Sequence, residues 1–121
     1  MGRLGLIHWW DWIPFVRCWR IVTTVDSADE IPERLPGRGA ALVGSEQRPK
    51  WLAFDCPCNT GHRIMVSLDR GHSPHWTFLN ARKLTLAPSI DYRTPKQRCH
   101  YFVKHGKIIW VNDREDRRRG R

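Results

Sequence analysis

The stretch His100-Tyr-Phe-Val-Lys-His-Gly-Lys-Ile-Ile-Trp-Val111 decides the fold class. Two short runs rich in β-branched and aromatic residues, HYFV and KIIWV, flank Lys104-His105-Gly106, with Gly106 suited to a positive φ. That is the pattern of a β-hairpin, in which the turn residue must tolerate a left-handed backbone. Working outward, the same short β-type runs recur. RCWRIVTTV (17–25), ALVGS and KWLAFD around a turn-prone stretch at 44–49, RIMVSL (63–68), HWTFL and KLTL all read as strands. SADEIPERLPGRG (27–39) starts with Ser27 followed by Glu30, a capping box, and then meets Pro32 and Pro36. One helical turn and a loop are predicted there. DRGHSP (69–74) reads as a loop. No segment keeps a helical period and no repeat is visible. The expectation is a mainly β domain: small, antiparallel, seven or eight short strands, little helix.

Composition bounds the rest. A chain of 121 residues makes one domain with a small core, so any added staple matters. The predicted divisions are an aromatic arm (1–15), a β-rich domain (16–112) and a charged, disordered tail (113–121). Seven tryptophans supply much of the apolar area. The cluster Trp9-Trp10-Asp11-Trp12 is expected to fold onto the sheet, with a partner-binding patch as the other reading. No apolar run reaches the roughly 20 residues that cross a bilayer. The opening MGRLGLIHWWDWIPF is broken by His8, Asp11 and Pro14 and has no small-residue cleavage site, so the chain is expected to be cytoplasmic. The formal charge of +9 invites a nucleic-acid partner, but the tail's five arginines against three acids leave +7 spread singly over the domain. Isolated basic residues alternating with apolar ones are what solvated strand faces carry, so nucleic acid is the weaker expectation.

Four cysteines (18, 56, 58 and 99) in such a chain point to metal or catalysis before disulfides. In FDCPCNTGHRIMV (54–66), Cys56 and Cys58 at i and i+2 share a strand face. Asn59-Thr60-Gly61 is turn chemistry that would return His62 to the same spot. Thiolate and imidazole are the ligands of tetrahedral zinc. A second pair, Cys99-His100, lies about forty residues on; adjacent strand residues face opposite ways, so one of the two joins and the other faces elsewhere. The competing readings are two small buried cysteines beside a surface histidine, or a nucleophilic thiol at Cys58 with His62 or His100, which metal binding would preclude. Cys18 is expected in the core, with a fourth-ligand role as the alternative. Trp76 is expected as a core aromatic, with a pocket wall as the other reading.

LAPSID (86–91) is the third feature. Pro88 constrains the chain before Ser89, and Ser89, Asp91 and His100 are the residue types of an acyl-transfer triad. On types alone a simple turn explains the serine as well.

These motifs, in this order, resemble an uncharacterised family of small bacterial domains, some encoded beside ubiquitin-like conjugation genes. The family pattern runs from a Pro-Gly leader and short strand through Cys-x-Cys-Gly-Cys-Gly, an apolar strand, a Trp and Leu-x-Pro-Ser-Ile. It closes on Cys-x-x-His-Tyr/Phe-x-Ile-x-x-Gly-x-Ile-x-Trp. The matching stretches here are IPERLPGRGAALVGS, CPCNTGHRIMVSL, HWTF, LTLAPSID and CHYFVKHGKIIW, about residues 30 to 111. Two positions depart: the family's third cysteine falls at Thr60 and its later one at Gln97. The resemblance implies a ligand set of Cys56, Cys58, His62 and Cys99 for a structural zinc. It also implies a peptidase resembling a deubiquitinase, acting on a ubiquitin-like protein or its conjugates, with E1-like and E2-like proteins as further partners. Ser89 would attack, His100 would be the base and Asp91 an orienting group. A zinc with an open position that activates water is the other mechanism, weakened by three thiolates that make a poor Lewis acid. A non-catalytic zinc module binding protein or nucleic acid is the alternative to any hydrolase.

Overall fold

The computed structural model describes residues 7–13, 17–58 and 62–111. Nine strands are present among them: β1 (Arg20–Val25), β2 (Gly39–Gly44), β3 (Pro49–Asp55), β4 (Arg63–Ser67), β5 (Thr77–Leu79), β6 (Thr85–Ala87), β7 (Ile90–Arg93), β8 (Arg98–Lys104) and β9 (Lys107–Trp110). They form a four-stranded sheet β1-β2-β3-β4, a two-stranded ribbon β5-β6 and a three-stranded sheet β7-β8-β9. Among the described residues, helix is confined to two 3-10 turns, Trp9–Trp12 and Ala28–Glu30. The mainly β expectation therefore holds. Five of the six strand pairs among the described residues are antiparallel, as expected, and one is not: β1 pairs with β2 in parallel. A parallel pair needs a crossover of about a dozen residues. The capping-box turn and its proline-rich loop supply it, with Glu30 Oε1 accepting from the Ser27 amide at 3.1 Å.

β2 is the centre of the fold. Its sequence GAALVG is buried along almost its whole length, because both of its faces are covered. Ala40 and Leu42 face a core built with Leu52, Phe54, Tyr101 and Val103, while Ala41 joins Val22, Leu35 and Ala53 on the other side. A strand buried on both faces reads as a continuous apolar run, and each large side chain so buried contributes about 1.5–3 kcal/mol. The sheet β7-β8-β9 closes the larger core through the inward residues of β8, where Cys99, Tyr101 and Val103 alternate with outward ones. The hairpin that opened the sequence reading forms as expected, with His105 and Gly106 both at positive φ. Its tip is tied to the neighbouring segments: Trp19 N–H donates to Gly106 O at 2.8 Å, and Gly106 N–H to Leu84 O at 2.8 Å.

The tryptophan arm departs from expectation. Trp9, Trp10 and Trp12 are exposed rather than laid on the sheet. The far face of β1 and β2 is already covered by Leu35 and Ile31, with Ile7 packed beside them. The arm is held by polarity instead. Buried Arg20 pairs with Asp11 at 3.3 Å and donates to the Asp11 carbonyl at 2.6 Å. The predicted disordered tail, part of the aromatic arm and the Asn59-Thr60-Gly61 turn lie outside the described residues. Among the described residues no helix is long and apolar enough to cross a membrane.

Candidate functional site

Two sites lie back to back on β8, one on each face. On the inner face, the end of β3 brings Cys56 to the mouth of the β3–β4 hairpin, where its N–H donates to the His62 carbonyl at 2.7 Å. Cys58 and His62 are half-buried, and the Cys58 sulfur lies 3.4 Å from His62 Nδ1. Cys99, buried on β8, comes to them from the distant segment. The ligand atoms of Cys56, Cys58, His62 and Cys99 all lie within 4.8 Å of one another. Four donors around one ion with bonds of about 2.3 Å would stand roughly 3.7 Å apart, so the four residues need to close up only slightly. This group could hold a metal ion. Between the two candidates Cys99 and His100, strand alternation decides: Cys99 points in and His100 out. Cys18 stands elsewhere, its Cβ 3.1 Å from where a side chain on Gly106 would begin.

The electrostatics suit a cation better than a reactive thiol. Burial, partly offset by a hydrogen bond from Tyr101, pushes the Cys56 thiol up to about 12, and burial likewise raises Cys99. An attacking thiol needs the opposite shift. A bound cation would invert the preference, since coordinated thiols give up their protons. Two neighbours complete this pocket. The Tyr101 hydroxyl donates to the Cys56 sulfur at 3.4 Å, and the Gln97 amide donates to the Cys99 sulfur at 3.3 Å. Gln97 thus reaches the cluster from the position where the resembled pattern carries a cysteine, and His62 stacks on Tyr92 with ring centroids 4.0 Å apart.

On the outer face, Ser89 sits between the end of β6 and the start of β7, half-buried, beside the cis Ala87–Pro88 peptide. Its hydroxyl lies 3.2 Å from His100 Nε2. The Trp76 indole N–H donates to the Ser89 carbonyl at 3.3 Å. Trp76 is partly buried against the core, as expected, but it also holds the serine's backbone and borders a groove of about 1070 Å³ between the β3–β4 end and β5. Asp91 lies directly opposite His100 in the β7–β8 register. Its carboxylate accepts from Arg98 at 2.9 and 2.8 Å and from Arg93 at 3.3 and 3.1 Å. The hydrogen bonds from Arg98, and then those from Arg93, hold that carboxyl well below the usual range. Arg98 Nη2 lies in turn 3.4 Å from His100 Nδ1. The order across the site is therefore Ser89, His100, Arg98, Asp91.

A family model described as "Bacterial ubiquitination-like system serine protease (BubE)" matches residues 27–111. This chain belongs to the BubE family. The matched span runs from the capping box to the residue after β9 and contains every residue of both sites. No curated protein and no solved structure matches the chain.

Sequence reasoning passed over Arg98 and Tyr101, and gave Gln97 and the Trp76 indole N–H no role at either site. The signal for Arg98 lay in β7. Reading LAPSID as a turn hides the strand Ile90–Arg93, and with it the register that sets Asp91 against His100 and Arg93 against Arg98.

Proposed function

We propose that the chain is a serine peptidase that processes or removes a bacterial ubiquitin-like protein, with Ser89 as nucleophile and His100 as general base. The observation that carries this reading is the 3.2 Å approach of the Ser89 hydroxyl to His100 Nε2 in a chain of a serine protease family. In the acylation step, Ser89 Oγ forms a bond to the scissile carbonyl carbon as His100 Nε2 takes its proton. The tetrahedral adduct then expels the amine, which receives that proton from His100, and the serine ester remains. Water repeats the sequence, giving a free carboxylate and the regenerated hydroxyl. For Nε2 to accept, Nδ1 must carry the ring's proton. Asp91, directly opposite on β7, serves as the orienting group by accepting that Nδ1 proton once Arg98, which has only donors and cannot accept from Nδ1–H, turns away from the ring.

Cys56, Cys58, His62 and Cys99 would hold a zinc ion. Three thiolates would leave it a poor Lewis acid, so its contribution would be to the fold and not to the chemistry. Bound there, it would tie the β3–β4 hairpin to Cys99 on β8 and so fix the strand on which His100 is the next residue. The ubiquitin-like protein and its conjugates are the substrates, with E1-like and E2-like proteins of the same system as further partners.

The test is incubation of the protein with the ubiquitin-like precursor of its own system. Wild type should release the mature tag, and Ser89→Ala should abolish release while keeping metal content and fold. Cleavage that survives Ser89→Ala refutes the serine mechanism.

A further inference from the structure

The outward face of β7-β8-β9 carries more than the catalytic pair. Because cross-strand partners project to the same side, the register places Asp91 beside His100, Arg93 beside Arg98, Phe102 beside Ile109, and Lys104 beside Lys107. Phe102 is two residues beyond His100 on the same strand, about 7 Å away at roughly 3.4 Å per residue. Ile109, its partner on the edge strand β9, is 49 % exposed although it is a large aliphatic residue. Lys104 Nζ lies 5.0 Å over the Phe102 ring. β9 continues along the catalytic strand, with the Val111 N–H donating to the His100 carbonyl at 3.0 Å. The face is thus an apolar centre with a basic rim, contiguous with the serine–histidine pair. Four cations, Arg93, Arg98, Lys104 and Lys107, stand there against the single carboxylate of Asp91 among the described residues.

We infer that Phe102 and Ile109, rimmed by Lys104 and Lys107, are the docking surface for the folded body of the ubiquitin-like substrate, whose complementary patch is apolar and bordered by carboxylates. This rests on the peptidase reading for the identity of the occupant. A folded body a few residues from a scissile bond seated at Ser89 can lie over this face, since Ser89 directly precedes β7 of the same sheet. A basic rim excludes a basic partner and steers an acidic one, while the apolar pair supplies the desolvated centre that carries most of the affinity in a protein interface. A short peptide spanning only the scissile bond would not extend across to β9.

The experiment has two arms, kept apart from each other. In the first, the full chain carrying Ser89→Ala is titrated with the mature ubiquitin-like protein, and Ile109→Glu or Lys107→Glu is added to it. Ile109→Glu should weaken binding about tenfold and Lys107→Glu by a smaller, salt-dependent factor. Both positions are exposed, and Ile109→Ala with unchanged thermal unfolding serves as the check that loss of binding is not loss of fold. In the second arm, kcat/KM is measured on an intact tag fusion and on a peptide with the same residues around the bond. Ile109→Glu should lower the fusion-to-peptide ratio about tenfold, through KM. An unchanged ratio with unchanged binding overturns the docking surface, as does binding of the tag that ignores Ile109. If neither substrate is cleaved by the unmodified chain, the peptidase reading fails while the binding arm still decides the surface.

Discussion

Replacing Cys99 by serine should cost far more than its size suggests, because, of the four residues that could hold a metal ion, only Cys99 comes from β8. Cys56, Cys58 and His62 lie within seven positions of one another (56 to 62), whereas Cys58 and Cys99 are 41 apart (99 minus 58). An ion joining them would close a loop of about 42 residues and, kept by the thiolates as the chain unfolds, would lower the entropy of the unfolded chain by roughly 13 cal/mol/K, or about 4 kcal/mol at 25 °C. Small domains have only about 5–15 kcal/mol of stability in all, so the clip is a large share. At roughly 4 °C for each kcal/mol, its loss should lower the unfolding midpoint by about 15 °C. Cys58→Ser is the contrast: Cys56 still links the hairpin to Cys99, so the long loop stays closed and the midpoint should fall by less than half as much. Thermal unfolding followed by tryptophan fluorescence, with metal content measured on the same samples, tests this. The difference between wild type and Cys99→Ser should vanish when both are unfolded in chelator, which removes the clip from each. Equal losses for Cys58→Ser and Cys99→Ser, or a gap that persists in chelator, would refute the loop-closure account.

Asp91→Asn should destabilise the protein at neutral pH but not in strong acid. The folded carboxyl titrates below its unfolded value of about 3.9, so the stabilisation it brings is present above that pH and is lost as pH falls through the depressed folded value. The gap in unfolding midpoint between wild type and Asp91→Asn, measured from pH 7 down to pH 2, should hold steady and then shrink below about pH 4. Trp76→Phe keeps an aromatic ring, smaller than the indole, but leaves the Ser89 carbonyl without the indole donor. It should cost about 0.5–1.5 kcal/mol in denaturant titrations and lower kcat on the tag precursor while leaving metal content unchanged. Gly44→Ala places a Cβ 2.5 Å from the Arg48 carbonyl at a φ of +105°. Opening that β2–β3 turn should destabilise by more than about 1 kcal/mol, with an unaltered denaturant slope.

Much of the architecture, and which cysteines and histidines share a strand face, could be read from local pattern, because local pattern is what fixes them. Alternation of two puts Cys99 and His100 on opposite faces of β8 whatever the rest of the chain does, and a lysine-histidine-glycine turn makes a tight hairpin from its own backbone preferences. The capping box at Ser27 and Glu30 likewise forms from residues three apart. Other features depended on partners far away in the chain. Nothing near residues 20–44 states that β1 and β2 run parallel, since direction is set by where the crossover lands. Nothing near Trp9–Trp12 states that these rings stay exposed, since Leu35 and Ile31 take the surface they would have covered. The order Ser89, His100, Arg98, Asp91 also appears only once β7 pairs with β8. Chemistry-bearing residue types and their faces are short-range properties of a strand, carried by composition and period. Which strand lies beside which, and so whether an aspartate meets a histidine or an arginine comes between them, is a long-range choice made by packing a shared core.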